Sequence, residues 1–218
     1  MRKAYQAELD RFTDELADLT GCAETAIAQA TTALVEGDVS LAEAVITAEP
    51  AIRERHHRLD NEAFGLLARQ QPVATDLRIL VAGLRMSVDL ERMGVLARHV
   101  AEIVVKRHPH HVVPPSMNGT LAAMGKIAQR LAGEARTVLK SRDAEQAMEL
   151  AAEDDEMDQL QESLHRQLLE PQRGVDLETA MDIVLLGRHY ERFADHAVSV
   201  GKRVAFIVRG AQAEPTAH

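Results

Sequence analysis

Two stretches of the chain share one pattern: MSVDLERMGVLARHVAEIV at residues 86–104 and LGRHYERFADHAVSVGKRV at residues 186–204. In each stretch the apolar residues recur every three or four positions, which places them on one face of an α-helix. The two sets stay in register at an offset of 100 residues. They are Met86, Leu90, Met93, Ala97, Val100 and Val104, and Leu186, Tyr190, Phe193, Ala197, Val200 and Val204. Each set predicts a buried helical stripe, so the chain is expected to contain the same long helix twice.

The repetition extends upstream at an offset of 105 residues. The matching positions are Leu34, Asp38, Ala42, Val45, Ile52 and Leu59, and Leu139, Asp143, Ala147, Leu150, Met157 and Leu164. An internal repeat of this length, with its helices and breakers in the same order, indicates a duplicated helical bundle.

Helix breakers divide the chain into six helices. They stand at Gly37-Asp38, Gln71-Pro72-Val73, residues 108–115, residues 141–143 and residues 171–174. Pro50 lies inside the second helix and is expected to kink it or to mark a late start. We predict an all-α fold of two tandem, pseudo-symmetric three-helix bundles at residues 1–110 and 111–211, followed by a disordered tail at 212–218.

Composition excludes several classes of function. A net charge of −9 disfavours nucleic-acid binding, because phosphate neutralisation requires an excess of Lys and Arg. Cys22 is the only cysteine and has no partner for an internal disulfide. The chain has no signal-like start and no apolar run of about 20 residues, so a cytoplasmic protein is expected. Neither a Gly-rich phosphate loop nor a GxSxG elbow is present, and binding is favoured over catalysis.

Paired carboxylates are the strongest chemical feature of the sequence. Glu191 and Asp195 lie four residues apart on one side of a helix, and Asp154 and Asp158 have the same spacing in the preceding helix. Antiparallel packing would bring the two pairs together, and a hard cation would relieve their repulsion. The alternative is a solvated face with local ion pairs, in which Arg188 neutralises Glu191.

A second arrangement of possible metal ligands comes from two ExxH motifs. Glu54 and His57 form one, and Glu162 and His165 form the other. Two such motifs occur in ferritin-like di-iron centres, which makes a di-iron enzyme or metal-storage protein the alternative function. However, Glu54 and His57 fall on the far side of the helix from Ile52, and the two motifs do not superpose under the repeat offset.

Three segments together resemble the PhoU family, the regulators of bacterial phosphate uptake and phosphate-starvation signalling. They are QPVATDLR at 71–78, DLERMG at 89–94 and YERFADHA at 190–197. The resemblance covers almost the whole chain, including the duplicated three-helix plan, and is greatest to the actinobacterial branch. It implies a non-enzymatic negative regulator, often dimeric, that links the transporter ATPase PstB to a PhoR-type sensor kinase. Such a protein would reach the membrane only through its partners.

The resemblance also implies site residues. Family members carry metal on carboxylates of E(D)xxxD motifs, which here correspond to Asp154, Asp158, Glu191 and Asp195 and would hold a divalent or iron-type ion. The first-half counterparts are Glu49, Arg53, Glu91 and Val95. We therefore expect one metal site, with Glu49 and Glu91 either without metal or paired with Arg53.

Four further residues belong to the family's motifs. Arg92 and Arg192 stand in the twin ERxGD-like segments, and Asp76 and Arg78 match the family's DLR motif. The structural alternative for the second pair is that Asp76 caps the third helix while Arg78 forms a surface ion pair.

Overall fold

A computed structural model describes residues 2–152, 155–170 and 175–209 of the chain. All secondary structure in these residues is helical, which confirms the predicted fold class. The helices are α1 (Arg2–Glu36), α2 (Val39–Gln70), α3 (Ala74–Arg107), α4 (Pro115–Ser141), α5 (Ala144–Ala152), α6 (Asp155–Leu168) and α7 (Leu177–Arg209). The fifth predicted helix thus corresponds to α5 and α6. The predicted tail at 212–218 lies outside the described residues.

Aspartates cap the helices where the repeat places them. The Asp38 carboxylate accepts a hydrogen bond from the Leu41 amide at the start of α2, at 3.0 Å. Asp143 accepts one from the Glu145 amide at the start of α5, at 2.8 Å. Both satisfy amides that have no partner within the helix. The two aspartates are separated by the repeat offset, so each half begins its second helix by the same device.

The third helix of each half begins differently. Asp176 immediately precedes α7 and accepts a hydrogen bond from the Thr179 amide at 2.9 Å. Its first-half counterpart, Asp76, lies inside the first turn of α3, because α3 begins at Ala74 after Val73, which provides no side-chain cap. The prediction that Asp76 caps the third helix is therefore wrong, although a carboxylate in the first turn still favours the helix dipole.

The two predicted stripes are buried, as the periodicity indicated. Every one of their residues is at most 3% exposed, from Met86 to Val104 and from Leu186 to Val204. The apolar residues of the upstream repeat are buried as well. Pro50 lies within a helix that runs without interruption from Val39. The alternative of a late helix start at Pro50 is therefore wrong, and the kink stays a prediction.

The two halves share one hydrophobic core. Helix α1 packs against α2 and α3 of its own half and against α4 of the other, and α7 packs against α4, α5 and α6 as well as against α3. The α3–α7 contact is antiparallel, because Asp89 meets Arg203 while Arg107 meets Asp182. The predicted division at residue 110 falls in the connection between α3 and α4. None of the helices in the described part of the chain is both long and apolar enough to cross a bilayer.

Candidate functional site

The structure brings three of the four predicted carboxylates to one cleft in the second half. Asp158 of α6 and Glu191 and Asp195 of α7 line this carboxylate cleft together with Arg130 of α4 and Glu156. Antiparallel packing thus joins the two helices as the spacing predicted. The cleft has a volume of about 10 Å³, at the lower limit of what one water molecule needs. Asp154 lies outside the described residues.

Arginines occupy the neighbourhood of these carboxylates. Arg188 forms an ion pair with Glu191 one turn away. The Nη2 atom of Arg130 lies 2.8 Å from the Glu156 carboxylate, and its Nη1 atom lies 3.2 Å from Glu134. Within the described residues, no three His, Cys, Asp or Glu side chains stand ready to hold a metal ion. A cation at this cleft would therefore have to displace Arg188 from Glu191.

The corresponding carboxylates of the first half are held by arginines. Arg53 donates to both oxygens of Glu49, at 2.8 and 3.0 Å, and its Nε atom lies 3.8 Å from Glu91. A second guanidinium, from Arg98, lies 3.8 Å from Glu49, whose side chain is 4% exposed. A carboxylate this buried requires a compensating positive charge, which Arg53 and Arg98 provide. Val95, which stands in place of Asp195, offers no oxygen ligand.

The remaining motif residues lie near the surface. Arg78 is half-buried and donates to the Thr75 hydroxyl at 2.9 Å, so the expected surface ion pair is replaced by a local hydrogen bond. Arg92 is exposed, with its Nε atom 3.8 Å from the neighbouring Glu91 carboxylate. Arg192 is also exposed on the corresponding face of α7.

The di-iron alternative does not form. Glu54, His57, Glu162 and His165 all have exposed side chains. A di-iron centre of the ferritin type requires ligands that project into the interior of the bundle. The alternative function of a di-iron enzyme or storage protein is therefore contradicted by the burial of these helices, whose apolar faces turn the other way.

Sequence reasoning missed a buried charge network where α3 crosses α7. Asp89 accepts hydrogen bonds from His196 at 3.0 Å, Ser199 at 3.2 Å and Arg203 at 3.0 Å. Burial alone would raise the pKa of Asp89, but the hydrogen bonds and positive charges of His196 and Arg203 outweigh it and hold this pKa below its ordinary value. The sequence signal for this network was Asp89 itself, a carboxylate next to Leu90 of the predicted buried stripe.

The repeat places a histidine pair where this network would recur. His189 stands 100 residues after Asp89, and His99 stands 100 residues before Ser199. The two imidazole rings lie 5.2 Å apart between their centroids. Burial, together with the neighbouring charges of His99 and Arg192, lowers the pKa of His189 to about 4. His189 is therefore neutral at pH 7, whereas Asp89 at the first crossing carries a charge.

Comparison with known proteins agrees with the duplicated architecture. The sequence profile of the PhoU domain matches twice, at residues 16–104 and 121–204. The chain is 43% identical over 210 residues to the "Phosphate-specific transport system accessory protein PhoU homolog 1" of Mycobacterium leprae, covering 96% of this chain and 95% of that protein. It is also 43% identical over 211 residues to the PhoU homolog 2 of Mycobacterium tuberculosis, covering 97% and 99%.

Solved structures show the same fold. The crystal structure of PhoU from Pseudomonas aeruginosa superposes with a TM-score of 0.84 at 27% identity, covering 95% of this chain and all of the other. PhoU from Streptococcus pneumoniae gives a TM-score of 0.86 at 22% identity, covering 94% of this chain and 97% of the other. At this identity the likeness shows a shared fold alone. With both repeats matched and close relatives over nearly its full length, the chain belongs to the PhoU family.

Proposed function

We propose that the protein is an accessory regulator of phosphate-specific transport that restrains phosphate uptake and keeps phosphate-starvation signalling off. It acts as an adaptor between the transporter ATPase PstB and a PhoR-type sensor kinase, without a chemical step of its own. The observation that carries the proposal is the 43% identity, over nearly the full length, to mycobacterial proteins named as accessory proteins of this transport system.

An adaptor needs two contact surfaces, and the repeat supplies a matched pair. The third-helix ridges consist of residues 77, 81, 85, 88 and 92 of α3 and residues 177, 181, 185, 188 and 192 of α7, all exposed. Each ridge combines apolar side chains with arginines; Leu77 is 41% exposed and Leu177 is 78% exposed. Exposed apolar side chains grouped along a helix mark interaction surfaces. Because α3 and α7 are antiparallel, the ridges lie toward opposite ends of the molecule and support contact with two partners.

The test is the phosphate response of a strain whose own copy is deleted. We expect its starvation-induced phosphatase to be active in high phosphate and to be silenced by the wild-type gene. Leu77→Asp with Val81→Asp, and separately Leu177→Asp with Met181→Asp, should leave the fold intact yet fail to silence it. The matched control is Met148→Asp, an exposed apolar residue outside the ridges, which should complement fully. Full complementation by both ridge variants would refute the ridges as contacts, and a silent phosphatase in a strain with no paralogue would refute the regulatory role.

We further propose that the carboxylate cleft holds one divalent or iron-type cation. Asp158, Glu191 and Asp195 offer oxygen donors from two helices, and Asp154 belongs to the same motif; such donors suit hard cations. The cation would supply the positive charge that joins α6 to α7. Arg188 is 56% exposed and can rotate away from Glu191. The first half lacks this donor set, so a single site is expected.

Metal binding can be measured without reference to regulation. Mn²⁺ titration followed by calorimetry should show one site in the wild type and none in Glu191→Ala with Asp195→Ala. Glu91→Ala, the first-half counterpart, is the matched control and should retain the site. Equal binding by the wild type and the double variant would contradict the assignment.

We also propose that the protein works in the cytoplasm as a homodimer and meets the membrane only through its partners. Light scattering of the purified chain should give twice the monomer mass of 24.0 kDa. A single monomeric species at micromolar concentration would contradict the dimer.

A further inference from the structure

The first half contains an open groove separate from the carboxylate cleft. It lies between α1 and α2, with Gly94 of α3 at its base and Arg136 of α4 at one end, and has a volume of about 570 Å³. Val45, Ile52 and Ala26 provide an apolar surface. This size and lining are typical of sites that take small organic molecules.

The groove occupies the same place in the first repeat as the carboxylate cleft does in the second. The repeat offset relates residues that line the two sites, and in three pairs on the first helix of each half the first-half residue is clearly the smaller. The pairs are Cys22 with Ile127, Thr25 with Arg130, and Ala26 with Leu131. Large side chains reduce the second-half cleft to about 10 Å³, whereas small ones leave the first-half groove open. The two repeats have thus diverged at one equivalent site.

The guanidinium groups of Arg55 and Arg136 line the groove, and nearby acidic side chains do not fully compensate their positive charge. Among the described residues, no acidic side chain forms an ion pair with Arg55. Arg136 lies against Gly21, where a Cβ atom would approach its Cζ atom to 3.1 Å, and its ion pair with Glu24 is long, at 3.9 Å. A guanidinium held in this way offers paired N–H donors to an oxyanion.

The acidic groups of the groove are already compensated. Glu49 is paired with Arg53, and a carboxylate oxygen of Asp18 lies 3.8 Å from the Lys140 ammonium. The unmatched charge of the groove is therefore positive, even though the chain as a whole has a net charge of −9. An anionic ligand is favoured over a neutral or cationic one.

We propose that the first-half groove binds a small organic anion with an apolar body and one oxyanion group, a carboxylate or a phosphate. The oxyanion contacts Arg55 and Arg136, while the apolar body packs on Val45 and Ile52. Because α4 belongs to the second half, a ligand held by Arg136 joins the two repeats. The groove is a site for such a ligand whether or not the carboxylate cleft holds metal, since the two share no residue.

Anilinonaphthalene sulfonate is a suitable probe, since it combines fused apolar rings with an oxyanion. Its fluorescence in a titration of the full chain should report binding, and Arg55→Gln and Arg136→Gln should each weaken the affinity at least about tenfold, the value of a lost charge-assisted hydrogen bond. The control Arg166→Gln removes an exposed arginine from α6 and should leave the affinity unchanged. Equal affinities in all four proteins would overturn the proposal.

Cys22 provides a second measurement, because it is the only thiol of the chain and lines the groove. The anionic reagent dithiobis-nitrobenzoate should react with it at least about five times faster in the wild type than in Arg136→Gln, whereas neutral dithiodipyridine should react equally with both. A saturating concentration of the sulfonate probe should slow both reagents. If the probe does not slow the labelling of Cys22, the probe binds outside the groove and the proposal is overturned.

Competition identifies the oxyanion. Displacement of the probe by phenyl phosphate but not by benzoate assigns a phosphate group, and the reverse assigns a carboxylate; either outcome supports the site. Displacement by inorganic phosphate as effectively as by phenyl phosphate would show that the apolar surface contributes nothing, and would overturn the proposed ligand class. Cys22→Ile with Ala26→Leu, which copies the second-half residues, should abolish binding of the probe while the helical circular dichroism is retained.

Discussion

The Asp89 network places a negative charge inside the contact between the two halves. Asp89 is 8% exposed and lies opposite three donors from α7. Replacing Asp89 with alanine leaves Arg203 and His196 without their acceptor. Removal of one partner from a fully buried ion pair costs about 3–5 kcal/mol.

The expected loss of stability is smaller than this, because the network is partly accessible to water. The Arg203 side chain is 28% exposed, so water recovers part of the loss. We expect Asp89→Ala to lower the free energy of unfolding by about 2–3 kcal/mol, which corresponds to a fall in melting temperature of about 4–12 °C for a chain of this size. The control is Asp14→Ala, an exposed aspartate of α1, which should change the melting temperature by about 1 °C at most.

The pH dependence of stability distinguishes the contribution of the Asp89 charge from that of side-chain packing. Since the pKa of Asp89 is lowered in the folded state, its contribution is present above the pKa of the unfolded chain, near 4, and is lost as the pH falls through the folded value. The stability difference between the wild type and Asp89→Asn should therefore be present at about pH 5 and shrink below about pH 4. Urea unfolding across this range measures it. A difference that is already absent at pH 6, or an Asp89→Ala variant as stable as Asp14→Ala, would refute the network as a source of stability.

Two further predictions concern packing and the histidine pair. A Cβ atom on Gly125 would lie 2.3 Å from the Thr31 methyl group, so Gly125→Ala should destabilise by about 1–3 kcal/mol, whereas Gly119→Ala, with open space around it, should stabilise by about 0.5–1 kcal/mol; thermal unfolding of the pair distinguishes them. The folded pKa of His189, about 4, lies below the unfolded value of about 6.5, so protons bind preferentially to the unfolded chain between these values and acidification from pH 7 to pH 5 should destabilise the fold. In His189→Gln, the loss of unfolding free energy between pH 7 and pH 5 should be smaller by about 1–2 kcal/mol, after allowance for the partial exposure of the ring. An unchanged slope of stability against pH would contradict the assignment.

The helices and their buried faces were predictable because both depend on local periodicity. The stripes through Leu90 and Tyr190 follow from spacing alone. The predicted cap at Asp76 was wrong by three residues, because the N-cap of α3 is Val73 and no side-chain cap marks it. Element boundaries are where local signals are weakest.

The contacts between helices were not predictable in the same way. Periodicity assigns Asp89 to a face of α3 but does not say that the face meets His196, which lies 107 residues away. The carboxylate pairs were an exception, since a short connection between antiparallel helices brings Asp158 toward Glu191. The first-half groove required the structure altogether: its volume depends on how Cys22, Ile52 and Arg136 meet from three helices.

Duplication explains why the two halves agree in the core and differ at the sites. A buried stripe tolerates only residues of similar volume and polarity, so Met86 and Leu186 are both apolar at equivalent positions. A polar group at the helix crossing is constrained by its partner instead, and Asp89 with Ser199 has become His189 with His99 at the equivalent place. Asp89 in particular needs its donors from α7, so a change on one side of this crossing constrains the residues on the other. The two crossings are consequently alike in backbone but different in the polar side chains that meet there.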